Sequence, residues 1–233
     1  MKTIKRHFKS ILFWLICIGI ALIPAQKALA ALTVTSSVVT DWTAVAAQAT
    51  GESAVIDISS NYVTAVHIQA FIDSNTAHEG TEFHVQVSSK SSGDEDWTDF
   101  AVQPGLVGTA NGEAIQDDPL AATSTIIACA DTGGEYETEP MGKWIAIEDG
   151  TLANSELCWL TGFTSDTSIT VQDGTTNEHA NSTIMWDIAI SKTILIPMGA
   201  GSRARVIVNN GKDMDGTASS LNYKISKTVT TAL

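Results

Sequence analysis

The sequence predicts an all-β protein: an antiparallel β-sandwich of jelly-roll type with a small inserted β module, behind a cleaved export signal. Three observations point there. Apolar and polar residues alternate with a period of two, as in strands that bury one face. Turn clusters containing Gly and Asp interrupt these runs at short intervals. No stretch after residue 30 has the periodicity of an amphipathic helix.

The chain begins with Lys2, Lys5, Arg6 and Lys9, continues through an apolar run from Ile11 to Ile23, and reaches Ala28-Leu29-Ala30. A basic start, a short apolar stretch and a small-x-small site predict a signal peptide over 1–30, with the mature chain starting at Ala31. The apolar run is about 13 residues, short of the roughly 20 that a membrane-spanning helix needs. Cys17 lies inside the run rather than just after it, which does not match lipoprotein acylation. The expected location is secreted, extracellular or cell-surface, with no membrane span in the mature protein.

Residues 31–133 read as the first part of the sandwich. Leu32 to Thr40 is rich in Val and Thr and carries no charge, Pro or Gly. Such a terminal strand pairs in its own sheet, is exposed at an edge, or is donated to a neighbouring copy. Ala54 to Ile58 is a short strand. In Thr64 to Ile72, Val66, Ile68, Ala70 and Ile72 point one way. In Thr81 to Ser88, Phe83, Val85 and Val87 do the same, and both faces are expected in one core. The polar connector Asp73 to Gly80 suggests that these two strands form a long-looped hairpin. Residues 104–133 contain no aromatic and read as a long loop or crossing.

Residues 134–186 read as the inserted module, with short strands at Trp144–Ile147, Leu157–Gly162, Ser168–Gln172 and from Ile184. Residues 187–233 supply the last sandwich strands, Ile184 to Ile190 running into this segment, then Arg203–Asn209 and Ser219–Thr230. Ser92-Gly93-Asp94, Asp149-Gly150, Asp173-Gly174 and Asp215-Gly216 mark turns.

The series Trp144-Ile145-Ala146-Ile147, Glu148-Asp149-Gly150, Leu157 to Gly162, Ser168 to Val171 and the Thr175–Ala180 loop resembles the small β modules inserted in some phage virion and tail-associated proteins. The flanking Asp57-Ile58-Ser59, Asp94-Glu95-Asp96-Trp97, Arg203–Asn210 and Asp215-Gly216 stretches resemble β-sandwich structural proteins of virions and microbial surfaces. That resemblance covers about three-quarters of the mature chain. It implies a structural role and brings no catalytic residues. An export signal fits a cell surface rather than a virion assembled in the cytoplasm.

Charge bounds the partners. Of 13 basic residues, five lie in the first 30, leaving eight against 26 acidic residues and a net charge of −18. Such a surface repels nucleic-acid phosphates and anionic membranes. It favours cations, and it also keeps an exported protein soluble. Asp213 and Asp215 with Asn209, and Asp94 with Asp96 beside Glu95, are candidate calcium ligands on turns. The alternative at Asp215-Gly216 is an ordinary hairpin turn, since no Glu stands at the closing position of a calcium loop. His67 and His84, with Glu82, could form a cross-strand transition-metal site or a solvated polar face. Cys129 and Cys158 are a disulfide pair or two buried thiols in separate strands.

Glu135, Glu137 and Glu139 alternate, which reads as a solvated or cation-dependent edge. No Gly-x-Ser-x-Gly turn and no phosphate-binding Gly loop is present, and no two carboxylates are placed for glycoside hydrolysis. Asn181-Ser182-Thr183 matches a glycosylation sequon. The expectation is therefore a non-enzymatic exported structural protein: the subunit of a self-assembling filament, sheath or surface layer, its partner another copy of itself through strand pairing of residues 31–40. The alternative is a secreted binding module for a glycan or surface protein, for which Trp42, Trp97, Trp159 and Trp186 are the aromatics to inspect.

Overall fold

The computed structural model describes residues 32–75, 77–78, 80–93, 96–130, 142–165, 167–211 and 220–232. The expected signal peptide and Glu135, Glu137 and Glu139 lie outside them.

The strands run β1 (Leu32–Val45), β2 (Thr50–Glu52), β3 (Ile56–Asp57), β4 (Val63–Ile72), β5 (Ala77–His78), β6 (Thr81–Ser88), β7 (Thr98–Pro104) and β8 (Gly108–Thr109). They continue with β9 (Gly112–Ala114), β10 (Ile126–Ala128), β11 (Lys143–Glu148), β12 (Glu156–Ser165), β13 (Ser168–Val171), β14 (Ile184–Pro197), β15 (Arg203–Asn210) and β16 (Leu221–Ala232). A single 3-10 turn, Leu152–Asn154, is the helical element among the described residues. The protein is all-β and antiparallel.

Two sheets make the sandwich. One runs β1-β16-β4-β14; the other runs β2-β15-β6-β7, with β3 also on β15. Counting β2 and β3 as one strand, the eight sandwich strands taken in chain order fall as 1-8-3-6 and 2-7-4-5. This is the two-sheet, double Greek-key order of a jelly roll.

The alternation seen in the sequence becomes the core. Val66, Ile68, Ala70 and Ile72 meet Phe83, Val85 and Val87 in one cluster, joined by Val206 and Val208 of β15 and Ile225 of β16. Each such large side chain contributes about 1.5–3 kcal/mol by leaving water. The expected β4–β6 hairpin does not form. β4 pairs with β14 and β16, whereas β6 pairs with β7 and β15. The connector carries the chain from one sheet to the other, and its β5 pairs with β8. The two apolar faces therefore meet across the sandwich rather than side by side.

The stretch expected as a loop over 104–133 supplies β8, β9 and β10. β9 pairs with the first residues of β14, at Gly112↔Trp186 and Ala114↔Ile184. Just beyond it, Ile115 bridges Cys129, flanked by Gln116 N–H to Ala128 O at 2.9 Å and Ala130 N–H to Ala114 O at 3.1 Å. With β10-β13-β12-β11-β14 paired in that order, these contacts close a small six-stranded barrel. Its interior is a second core, built from Ile115, Leu120, Ile127, Ile145, Ile147, Leu160, Ile169, Val171 and Met185 with the two cysteines.

β14 joins the two bodies. Its first half is barrel wall; its second half, Ala189 to Pro197, is a sandwich strand beside β4. Trp42 of β1 fastens the junction. It packs edge-on to Phe71 with centroids 5.1 Å apart, and its indole N–H donates to Ser155 O.

Candidate functional site

Of the residues singled out as calcium ligands, Asn209 and Asp96 are among the described residues. Asp213, Asp215, Asp94 and Glu95 lie outside the described residues. Asn209 is on β15, where its side-chain oxygen accepts from the Thr50 hydroxyl at 3.3 Å. Asp96 pairs with Lys90 at 2.7 Å, so its cation is supplied by the chain. Among the described residues no group of three or more His, Cys, Asp or Glu is placed to hold a metal ion.

His67 and His84 sit on different sheets, so the cross-strand pair expected of them is not formed. The ring of His84 lies between Glu82 and Asp99, at 3.2 and 3.1 Å. Burial alone would lower its pKa; the Asp99 and Glu82 carboxylates outweigh that and raise it.

Cys129 and Cys158 are free, buried thiols rather than a disulfide. Cys129 follows β10, opposite the start of β13; Cys158 lies near the start of β12, opposite Ile145. They are two strands apart and out of register by on the order of 20 Å measured along the strands, far past the reach of a disulfide. Burial pushes the Cys129 thiol up to about 11 and the Cys158 thiol up to about 12.

His179, in the 172–183 loop, carries no motif that marks it in the sequence. Its side chain is fully buried, with Nε2 2.7 Å from Glu156 and Nδ1 3.2 Å from Asp149. Glu156 also accepts the backbone N–H of Thr176 at 2.6 Å and of Asn177 at 3.0 Å. Burial by itself would lower the His179 pKa, but the hydrogen bonds and charges of Glu156 and Asp149 raise it. Both carboxylates are held below their ordinary values, the bonds from His179 and the backbone overcoming burial. Every group in this cluster is satisfied from within, so it locks a loop to the barrel and is not an open site.

Two open surfaces stand out among the described residues. The first is the outer face of the β1-β16-β4-β14 sheet, at the end remote from the barrel. Registered side by side there are Val34, Thr230, Val63 and Pro197; then Ser36, Thr228, Ala65 and Leu195; then Val38, Ser226, His67 and Thr193. None of the twelve is Asp, Glu, Lys or Arg. Val34, Val38 and Leu195 are 66%, 54% and 63% exposed. The surface is held rigid by a hydrogen-bonded chain across all four strands. Ser36 Oγ lies 2.8 Å from Thr228 Oγ1, His67 Nε2 lies 3.0 Å from Thr228 Oγ1, and His67 Nδ1 lies 2.9 Å from Thr193 Oγ1. Residues 32–38 pair with 226–232 of the same chain, so the strand expected for donation is used internally. The other edge of β1 has no partner strand among the described residues.

The second surface is a groove of about 550 Å³ where barrel and sandwich meet, walled by Trp144 and Trp159. These two stand directly opposite on β11 and β12, edge to face, with centroids 5.1 Å apart. Their neighbours Ile145, Cys158 and Leu160 point into the barrel, so the tryptophans point out. Of the other tryptophans, Trp42 and Trp186 are core residues, 7% and 8% exposed. Trp97 carries the guanidinium carbons of Arg205 and Arg203 at 4.3 and 4.9 Å from its ring centroid. Asn181 of the sequon is exposed, its side-chain amide donating to Gln116 O at 3.0 Å.

No family model matches the chain, and no curated protein matches it. It is similar to VP17, a capsid protein of bacteriophage P23-77, at 7% identity and a TM-score of 0.20 over 85% of this chain and 96% of that one. It is also similar to the complex of the two major capsid proteins of that phage, VP16 and VP17, at 8% identity and a TM-score of 0.20 over 84% of this chain and 98% of the other. At these values the likeness carries no argument about what this protein does.

Proposed function

We propose that the protein is a non-enzymatic, exported structural subunit whose copies associate through the uncharged end of the β1 sheet. One observation carries this reading. A chain with 26 acidic and 13 basic residues leaves twelve side chains at one end of a four-strand, partly apolar sheet face without an Asp, Glu, Lys or Arg, beside a strand edge that no described strand covers. Copies of so acidic a protein repel one another over most of their surface. On this face that repulsion is weakest, and burying its apolar side chains is favourable. Val and Thr at an edge without a partner strand among the described residues add the main-chain groups for strand pairing. Export follows from the 1–30 segment, with Ala31 as the mature terminus. Filament, sheath and surface layer are the assemblies such a contact would build.

The test is association state. Sedimentation and negative-stain microscopy of the secreted protein should show concentration-dependent multimers. A Val34→Lys/Leu195→Lys variant should be monomeric with an unchanged melting temperature, because both side chains are already exposed. A wild-type protein that stays monomeric at high concentration refutes the reading. Intact mass of the secreted protein checks the start at Ala31.

A further inference from the structure

We propose that the Trp144–Trp159 groove is a binding site for a carboxylated carbohydrate. This is separate from self-association, because β14 lines the groove with Ala189 to Lys192 and gives Thr193, Leu195 and Pro197 to the uncharged face.

The wall of the groove is aromatic. Each tryptophan is half-buried, so each offers part of a flat apolar ring to a ligand while the rest is held by its neighbours. Their mutual edge-to-face packing fixes the geometry before anything binds, which reduces the ordering cost of binding. A pyranose ring has a C–H face that matches such a surface and a rim of hydroxyls that does not. It therefore needs polar groups beside the rings, and Ser191, Lys143 and Lys192 supply them.

The charge of the groove is opposite to that of the protein. Lys143 and Lys192 line it, and among the described residues no Asp or Glu does. That is two of the eight basic residues after residue 30, in a chain with 26 acidic ones. Lys143 is anchored from behind: its ammonium lies 4.0 Å from Asp187, whose carboxylate accepts the Asn111 backbone N–H at 2.7 Å and side-chain amide at 3.1 Å. Lys192 is exposed and makes no ion pair among the described residues. An aromatic wall selects for the sugar ring, and the two ammonium groups select for a carboxylate upon it. Within a surrounding negative field, this groove is a local trap for anions.

The probe is a hexamer of galacturonic acid, with a hexamer of glucose as the uncharged control, both in EDTA. Titration calorimetry and tryptophan fluorescence should show saturable binding of the acidic hexamer. Affinity should fall by at least about tenfold in Trp159→Ala, as for loss of an aromatic anchor. It should fall by about threefold or more in Lys192→Gln, and it should weaken at high salt. The glucose hexamer should bind at least about tenfold more weakly. Absence of saturable binding, equal binding of the two hexamers, or affinities unchanged in both variants overturns the proposal. Lys192 is exposed, so its variant gives a result even if Trp159→Ala folds poorly.

Discussion

His179 and Glu156 form a largely buried pair: an imidazole with no solvent exposure, 2.7 Å from a carboxylate that also accepts two backbone N–H groups. The contact ties the 172–183 loop to the first residue of β12, and Asp149 holds the opposite side of the ring. Removing His179 leaves two largely buried carboxylates, Glu156 and Asp149, with backbone N–H partners but without the cation between them. We expect His179→Ala to cost about 3–5 kcal/mol, read as a lower unfolding midpoint in denaturant titration. An unchanged midpoint would mean that the clamp is not a stabilising element.

The same cluster sets a pH window. The His179 pKa is raised above 6.5, so its contribution is complete below 6.5 and is lost as pH rises through the folded value. The Glu156 and Asp149 values are lowered from 4.5 and 3.8, so their contribution is complete above those values and is lost as pH falls through the folded ones. The clamp is therefore at full strength between pH 4.5 and 6.5. The melting temperature of wild type relative to His179→Gln should be highest in that interval and decline on both sides. A difference that is flat with pH would rule out the assignment.

Val85 lies at the centre of the sandwich core with no exposure, paired with Val206 and Ala101. Val85→Asp buries a charge that has no partner, and the protein should fail to fold. Loss of near-ultraviolet circular dichroism would show it. A wild-type melting temperature would place Val85 elsewhere.

Gly112 sits at the seam that closes the barrel. A methyl group there would stand 2.8 Å from the Trp186 ring and 3.0 Å from Ile184. Trp186 cannot swing aside freely, since it is buried and its indole N–H donates to Glu148 at 2.6 Å. Gly112→Ala should cost about 1–3 kcal/mol and speed amide exchange at β9 and the first half of β14. Exchange that stays as slow as in wild type would show that the seam tolerates the methyl.

The two thiols give a chemical check on the barrel. Both are buried and titrate far above neutrality. At pH 8 they should resist alkylation in the folded protein, and both should react once it is unfolded, without a reducing agent. Failure to react in denaturant would indicate a disulfide after all.

The features legible in the chain alone were local. Period-two alternation in Thr64–Ile72, Thr81–Ser88 and Arg203–Asn209 identified strands and the residues they bury, because a pleated strand alternates its faces whatever lies beside it. Net charge and missing motifs bounded the chemistry in the same context-free way. The tertiary structure decided which strands are neighbours. β4 lies beside β16 and β14, and β14 leaves a barrel to enter a sandwich within one strand. Strand partners are chosen by contacts between residues far apart in the chain, and no local pattern encodes that choice. Short segments such as β9 and β10, only three residues each, carry too little alternation to be seen, yet they close the barrel. The sites follow the same division. Trp144 and Trp159 were each legible as aromatics, but their packing against one another, the lysines beside them and the clamp around His179 exist only because the fold brings distant residues together.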